Sequence, residues 1–362
     1  MKITATRLMT AVIAVAVIAA GCGGNTATTE PATEPAPATE PAPEPEPEPE
    51  PVEEPPKSIL TGLAVTEEIL ERPAVIVKVE NSPQSRPQSG LDKADVVYEE
   101  VVEGGVTRFF TVFQMNLPDY VGPVRSARPV DLDLMGTYGN ALFAYSGARG
   151  EVQQMLAGAN ASRIAEGFTG FVRDRSRRAP HNLYIDTAAA LNAAADRPLA
   201  PPPEQRWQFN DTVPVGALNC PPVAAGTTSQ CTDLGAAITI RMARGGYVTN
   251  WTYDTSEQVY RRAQNGTNFI VTGEGRIGAA NVVVLAARHY VGPSGYPETD
   301  GKTSGAPAVI LRDGRRYDAT WRKPTANAPL ELLNLEGQPF ALKPGSTWVH
   351  LPAAALLPDI SD

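Results

Sequence analysis

The chain has 362 residues, with 31 Lys and Arg against 40 Asp and Glu, a formal net charge of -9, and 42% hydrophobic content. That is ample apolar material for one large or two ordinary domains, and the acidic balance offers no argument for nucleic acid. Three His residues never fall at i, i+4 spacing and no Cys/His cluster exists, so no metal and no cofactor is expected.

Lys2 and Arg7 precede thirteen uncharged, mostly apolar residues that end at Ala20. This run is shorter than the ~20 residues needed to cross a bilayer and suits a secretory signal over residues 1–21. Ala19-Ala20-Gly21-Cys22 has the form of a lipobox, in which Cys22 becomes the lipidated first residue; an ordinary secretory signal with an incidental Cys is the alternative. The expected address is the extracytoplasmic face of the cell membrane, with the membrane itself as partner through the lipid. Residues 22–57 form a tether: between Glu30 and Pro56 lie eleven Pro, nine Glu and no basic residue, a composition that favours extended polyproline II. At about 3.1 Å per residue this stretch reaches roughly 80 Å. With tether and signal set aside, 29 basic and 31 acidic residues remain from Lys57 onward, so the rest of the chain is close to neutral.

Beyond the tether, AVIVKV at 74–79 reads as a buried strand. Two apolar runs at 96–102 and 106–114, joined around Gly104-Gly105, read as a hairpin. Helical spacing follows at 130–138, a short strand at 141–145, and helices at 151–156 and 187–195, the last with Asp186 or Thr187 as N-cap. Residues 58–196 therefore suit an α/β domain. A Pro-rich connector at 197–235 holds Cys220 and Cys231, which in an exported chain most simply form a disulfide. From 236 to 354 short strands alternate with turns, and Asp313-Gly314 is a hairpin turn of the favoured kind; residues 355–362 form a tail. The fold class is α+β: a mixed α/β N-terminal domain, then a β-rich C-terminal domain built as a sandwich, barrel or curved sheet.

LTGL at 60–63, SRPQSGLDKADVVYE at 85–99, EGGVTRF at 103–109, GPVRSARP at 122–129 and APHNLY at 179–184 closely resemble the YerB-like family of bacterial surface lipoproteins. NVVVLAARHY, DGRRYDATW and LKPGSTWVHLP resemble its second region in the same order. The resemblance implies a lipid-anchored, extracytoplasmic protein of two regions, without an established activity. It does not extend to the connector cysteines.

The polar content of these motifs marks the candidate site. Arg86, Arg108, Arg125, Ser126, Arg128 and Arg173 could clamp a phosphate or carboxylate, with His181 and Asn182 beside them. Equally, the arginines could be struts to Glu99, Glu103, Asp131 and Asp174, because this chain uses 24 Arg against seven Lys. Glu103 and His181 are the acid/base candidates if the protein is a hydrolase of an envelope polymer, and a Ser126–His181 pair oriented by Glu103 has the ingredients of nucleophilic catalysis. Glu99, Glu100 and Glu103 invite a glycosidase reading, with a solvated strand edge as the plainer one. Trp251, Trp321 and Trp348 could stack on sugars or fill a core. The leading expectation is a binding protein for an anionic or cell-envelope ligand; the alternatives are the hydrolase and a non-catalytic envelope scaffold.

Overall fold

The computed structural model describes residues 54–359 except 160, 204–206, 215–234 and 274. Cys22, the tether as far as residue 53, and Cys220 with Cys231 lie outside the described residues. The first part contributes α1 (Glu67–Glu71), β1 (Val75–Glu80), β2 (Val96–Val101), β3 (Thr107–Phe113), α2 (Pro129–Met135), β4 (Ala141–Ala144), α3 (Gly150–Ala157) and β5 (Ala161–Ile164). A small hairpin of β6 (Phe171–Arg173) and β7 (Leu183–Ile185) precedes α4 (Thr187–Ala193). The later part is strand-rich, so the architecture is α+β with its helices mainly N-terminal.

Strands from both parts build one ten-stranded sheet. From one edge it runs Glu331–Leu333, Arg315–Lys323, Thr303–Arg312, Asn281–Leu285, Thr347–His350, β2, β3, β1, β4, β5. Thr347–His350 lies between Asn281–Leu285 and β2 and pairs in parallel with both. The two regions expected as separate domains are thus joined edge to edge, and the described residues belong to one unit. Sequence gave no sign of the join, because pairing across some 250 residues leaves no local pattern.

Every residue of β1, β2 and β3 is buried, which is why these segments read as continuous apolar runs rather than alternating ones. Successive side chains still go to opposite faces. Ile76, Tyr98, Phe110 and Phe143 join Val130, Leu134, Val152 and Leu156 of α2 and α3 on one face. Val77, Val97, Phe109 and Leu142 join Ala190 of α4 and Ile238, Trp251 and Tyr260 on the other. The last three belong to a smaller sheet that includes Ala237–Arg241, Val248–Asp254 and Val259–Gln264. Trp251, Trp321 and Trp348 are all within the core, which removes them as an exposed sugar platform.

Burial also corrects the solvated edge expected for the acidic run: Glu99 and Glu100 are fully buried, on opposite faces of β2. Glu99 receives Arg262 through two hydrogen bonds, 2.9 Å to Oε2 and 3.1 Å to Oε1, and Thr107 at 2.7 Å. His350 Nδ1 lies 2.9 Å from the same carboxylate while Trp251 donates to His350 Nε2, so His350 sits neutral with its proton on Nδ1. Burial alone would raise the Glu99 carboxyl, but facing Arg262, with His350 beside it, carries it well below the usual range. On the other face Lys78 reaches both Glu100 and Asp131, the latter at 2.6 Å, tying β1 and β2 to α2. Neither carboxylate is free to act on a glycan.

Candidate functional site

Strands β1, β2, β4 and β5 all point the same way, and β3 runs against them. The carboxyl ends of the former and the start of β3 therefore meet at one edge of the sheet, where open α/β sheets place their ligands. Glu80 ends β1, Glu103 follows β2, Arg108 opens β3, and residues 146–149 follow β4. The segment GPVRSARP crosses this edge: Glu80 N donates to Pro123 O (2.9 Å), Arg125 N to Lys78 O (2.8 Å) and Ser146 N to Arg125 O (3.0 Å).

Arg108, 8% exposed, donates to the Ser126 carbonyl at 2.7 Å and has no carboxylate at ion-pair distance among the described residues. Arg128, also 8% exposed, donates to Ala127 O (2.9 Å) and to Glu103 Oε2 (2.6 Å). Arg125 lies 3.5 Å from Glu80 Oε1, and His181 Nδ1 lies 2.9 Å from Glu80 Oε2. Burial pushes the Arg108 guanidinium down to about 10, and the nearby Arg128 and Arg125 charges push the same way. It stays protonated at neutral pH, so three guanidinium cations are held together here. For Glu103, burial alone would raise the carboxyl, but the Arg128 hydrogen bond outweighs it and leaves Glu103 below its ordinary value. Ser126 contributes its carbonyl to these bonds, and His181 takes its carboxylate partner from Glu80 rather than Glu103.

Three of the expected residues serve elsewhere. The Arg86 guanidinium turns to Asn81, at 3.1 Å from its carbonyl, and stacks over Tyr247 and Phe269 at 5.4 and 5.6 Å. Asn182 donates to Asp174 O and Arg177 O, closing the turn between β6 and β7. Arg173 forms an exposed pair with Glu166 (2.5 Å) and donates to Asn182 Oδ1 (2.7 Å). Arg177, which sequence did not single out, donates to Pro87 O (3.1 Å) and Arg86 O (3.0 Å) and so stitches SRPQSG to the loop carrying His181.

Sequence reasoning also passed over Glu80, Arg149 and Glu298. Arg149, the N-cap of α3, lies 3.8 Å from Glu103 and 3.3 Å from Glu151, pairs with Glu298, and stacks on Tyr296 at 4.4 Å. Glu298 comes from the later hairpin Arg288–Val291 and Pro297–Asp300, and burial keeps its carboxyl above the ordinary value despite Arg149. Glu80 reads as the end of an apolar run and Glu298 lies 149 residues from its partner. No local signal marks either. Among the described residues no group of three or more His, Cys, Asp or Glu could hold a metal ion.

Two family models match this chain: the N-terminal domain of "Protein of unknown function (DUF3048)" over residues 60–200 and the DUF3048 C-terminal domain over 238–349. The chain belongs to the DUF3048 family. It is 28% identical to "Putative lipoprotein YerB" of Bacillus subtilis (strain 168) over 306 residues, covering 82% of this chain and 86% of that protein. The crystal structure of YerB protein from Bacillus subtilis matches with a TM-score of 0.68 at 25% identity, over 84% of this chain and 99% of that one. The DUF3048 boundaries cross the ten-stranded sheet, with β2 in the first region and its neighbour Thr347–His350 at the end of the second.

Proposed function

We propose that this protein is lipid-anchored through Cys22 on the extracytoplasmic face of the membrane and binds an anionic envelope ligand at Arg108, Arg125 and Arg128. The observation that carries the reading is Arg108: a nearly buried guanidinium with one carbonyl partner, crowded by two like charges. Burying such a charge unpaired is costly, and a bound anion would offset that cost. Arg86, Arg173 and Asn182 then act as framework for the loops around the site, and the Glu80–His181 pair supports Arg125.

The hydrolytic alternative would use Glu103 as general acid, a role that suits a raised carboxyl, whereas Glu103 is lowered and committed to Arg128. The test is retention of fractionated envelope material by the immobilised chain. Anionic fractions should be retained by the unmodified chain, released by high salt, and not retained by Arg108→Gln. Release of cleaved product would instead favour the hydrolase, and equal retention by Arg108→Gln would remove the cluster as the site.

A further inference from the structure

We infer that the loop at residues 174–181 carries the anion site outward, so that the ligand is a linear polyanion, a chain along which negative charges repeat; the inference deepens the reading above and rests on it. The loop joins β6 to β7 and reads DRSRRAPH. Leu183 of β7 accepts from Val124 N at 2.6 Å, so the loop leaves its hairpin beside Arg125. Glu80 lies between the two, with Oε2 2.9 Å from His181 Nδ1 and Oε1 3.5 Å from Arg125 Nε.

The loop is held in shape from within. Asp174 Oδ1 accepts from Ser176 N (2.8 Å) and Ser176 Oγ (2.6 Å), and its Oδ2 accepts from the Tyr120 hydroxyl (3.2 Å). Arg177 spends its guanidinium on the Pro87 and Arg86 carbonyls, and His181 N donates to Arg178 O at 3.0 Å. The adjoining acids are committed: Asp174 to those donors, Glu166 to Arg173 at 2.5 Å, and Glu80 to His181 and Arg125. Arg175 and Arg178 are left over. Both are exposed, and neither side chain makes a hydrogen bond or an ion pair among the described residues.

The cations of this edge therefore differ in depth along one path: Arg108 and Arg128 nearly buried, Arg125 partly exposed, Arg175 and Arg178 in solvent. One small anion seated on the buried guanidinium leaves the loop cations unused. Single ions on exposed arginines gain little through water and salt, whereas charges joined in one chain bind together, each after the first at high effective concentration. A flat bilayer would engage the exposed pair but not Arg108, which is 8% exposed. Guanidinium groups take phosphate and carboxylate alike, so the repeating charge is the property read.

The full chain in neutral detergent is titrated by calorimetry, over a range of salt, with inorganic phosphate and with long-chain polyphosphate; poly-glutamate, and phosphatidylglycerol mixed into the micelles, are the comparison arms. Polyphosphate is expected to bind at least about tenfold more tightly than phosphate per phosphoryl unit. Preference between polyphosphate and poly-glutamate identifies the charged group, and either supports the polyanion. Replacing both exposed arginines, Arg175→Gln with Arg178→Gln, should leave the melting temperature unchanged, remove most of the polymer's advantage, and lower the slope of log affinity against log salt by roughly one to two. A double variant that binds polyphosphate like the unmodified chain, a polymer no tighter than phosphate per unit, or phosphatidylglycerol preferred to both polymers would overturn the inference. Any of these leaves the anion site itself standing if phosphate still binds and Arg108→Gln still abolishes that binding. Failure of every anion to bind the unmodified chain would sink both readings.

Discussion

At the scale of single residues, the sequence exposed both members of the Arg128–Glu103 pair but only one half of most other interactions at the site. GPVRSARP and EGGVTRF stand out because Arg is rarely buried, but the groups that face them, Glu80 and Arg149, and Glu298, which pairs with Arg149, sit singly in unremarkable surroundings. Burial also creates charges with pH signatures that no motif announces. Asp95 accepts from Gln114 N (2.5 Å) and Met115 N (2.9 Å), yet burial outweighs both and pushes its carboxyl up to about 6. A folded value above the unfolded 3.8 means the native state holds its proton more tightly, so the contribution to stability is full below 3.8 and is lost as pH rises through about 6. The loss amounts to about 3 kcal/mol at 1.36 kcal/mol per unit. Asp95→Asn should therefore flatten the fall in thermal stability between pH 4 and 7, measured by calorimetric melts; an unchanged slope would show that Asp95 does not carry it.

At the scale of elements, the helices and hairpins were legible wherever local chemistry sets their ends. Asp186 accepts from Ala189 N at 2.8 Å, as the N-cap pattern of α4 required, and Asp186→Ala should cost about 1 kcal/mol in chemical denaturation. Asp313 and Gly314 adopt φ 55° and 70°, the left-handed pair expected of their hairpin turn. The path of GPVRSARP was not legible, because it is fixed by its neighbours. Gly122, at φ 153°, lies so close to β7 that an added Cβ would fall 2.8 Å from Leu183 O and 2.9 Å from the Tyr184 ring. Gly122→Ala should destabilise the fold by about 1–3 kcal/mol and displace the segment that carries Arg125, Ser126 and Arg128. A melt and an anion titration on the same sample separate the two effects; retention of both properties would show that the close approach relaxes.

At the scale of the molecule, strand content and fold class followed from periodicity, but the joining of the two regions did not. Pairing of β2 with Thr347–His350 depends on chain ends that meet only in the folded state. The electrostatics reinforce the join: Glu99 of β2 finds its counter-charge in Arg262 and its further partner in His350, both from the second region. Removing such partners from a buried charge costs about 3–5 kcal/mol. A fragment of residues 58–196 alone should thus lack fixed tertiary structure by near-ultraviolet circular dichroism, and the whole chain should melt in a single transition. Two resolved transitions, or a folded fragment, would refute that coupling.

The position of Thr347–His350 also sets the order of events during biogenesis. Synthesis is vectorial, from amino to carboxyl end, so the strand that fills the middle of the sheet is among the last segments to emerge. Without it, β2 has only β3, and Asn281–Leu285 only Thr303–Arg312, as a sheet neighbour. A product terminated before residue 347 would leave two sheet edges without the strand they share, and unpaired edges expose a chain to aggregation, whereas the finished chain seals itself.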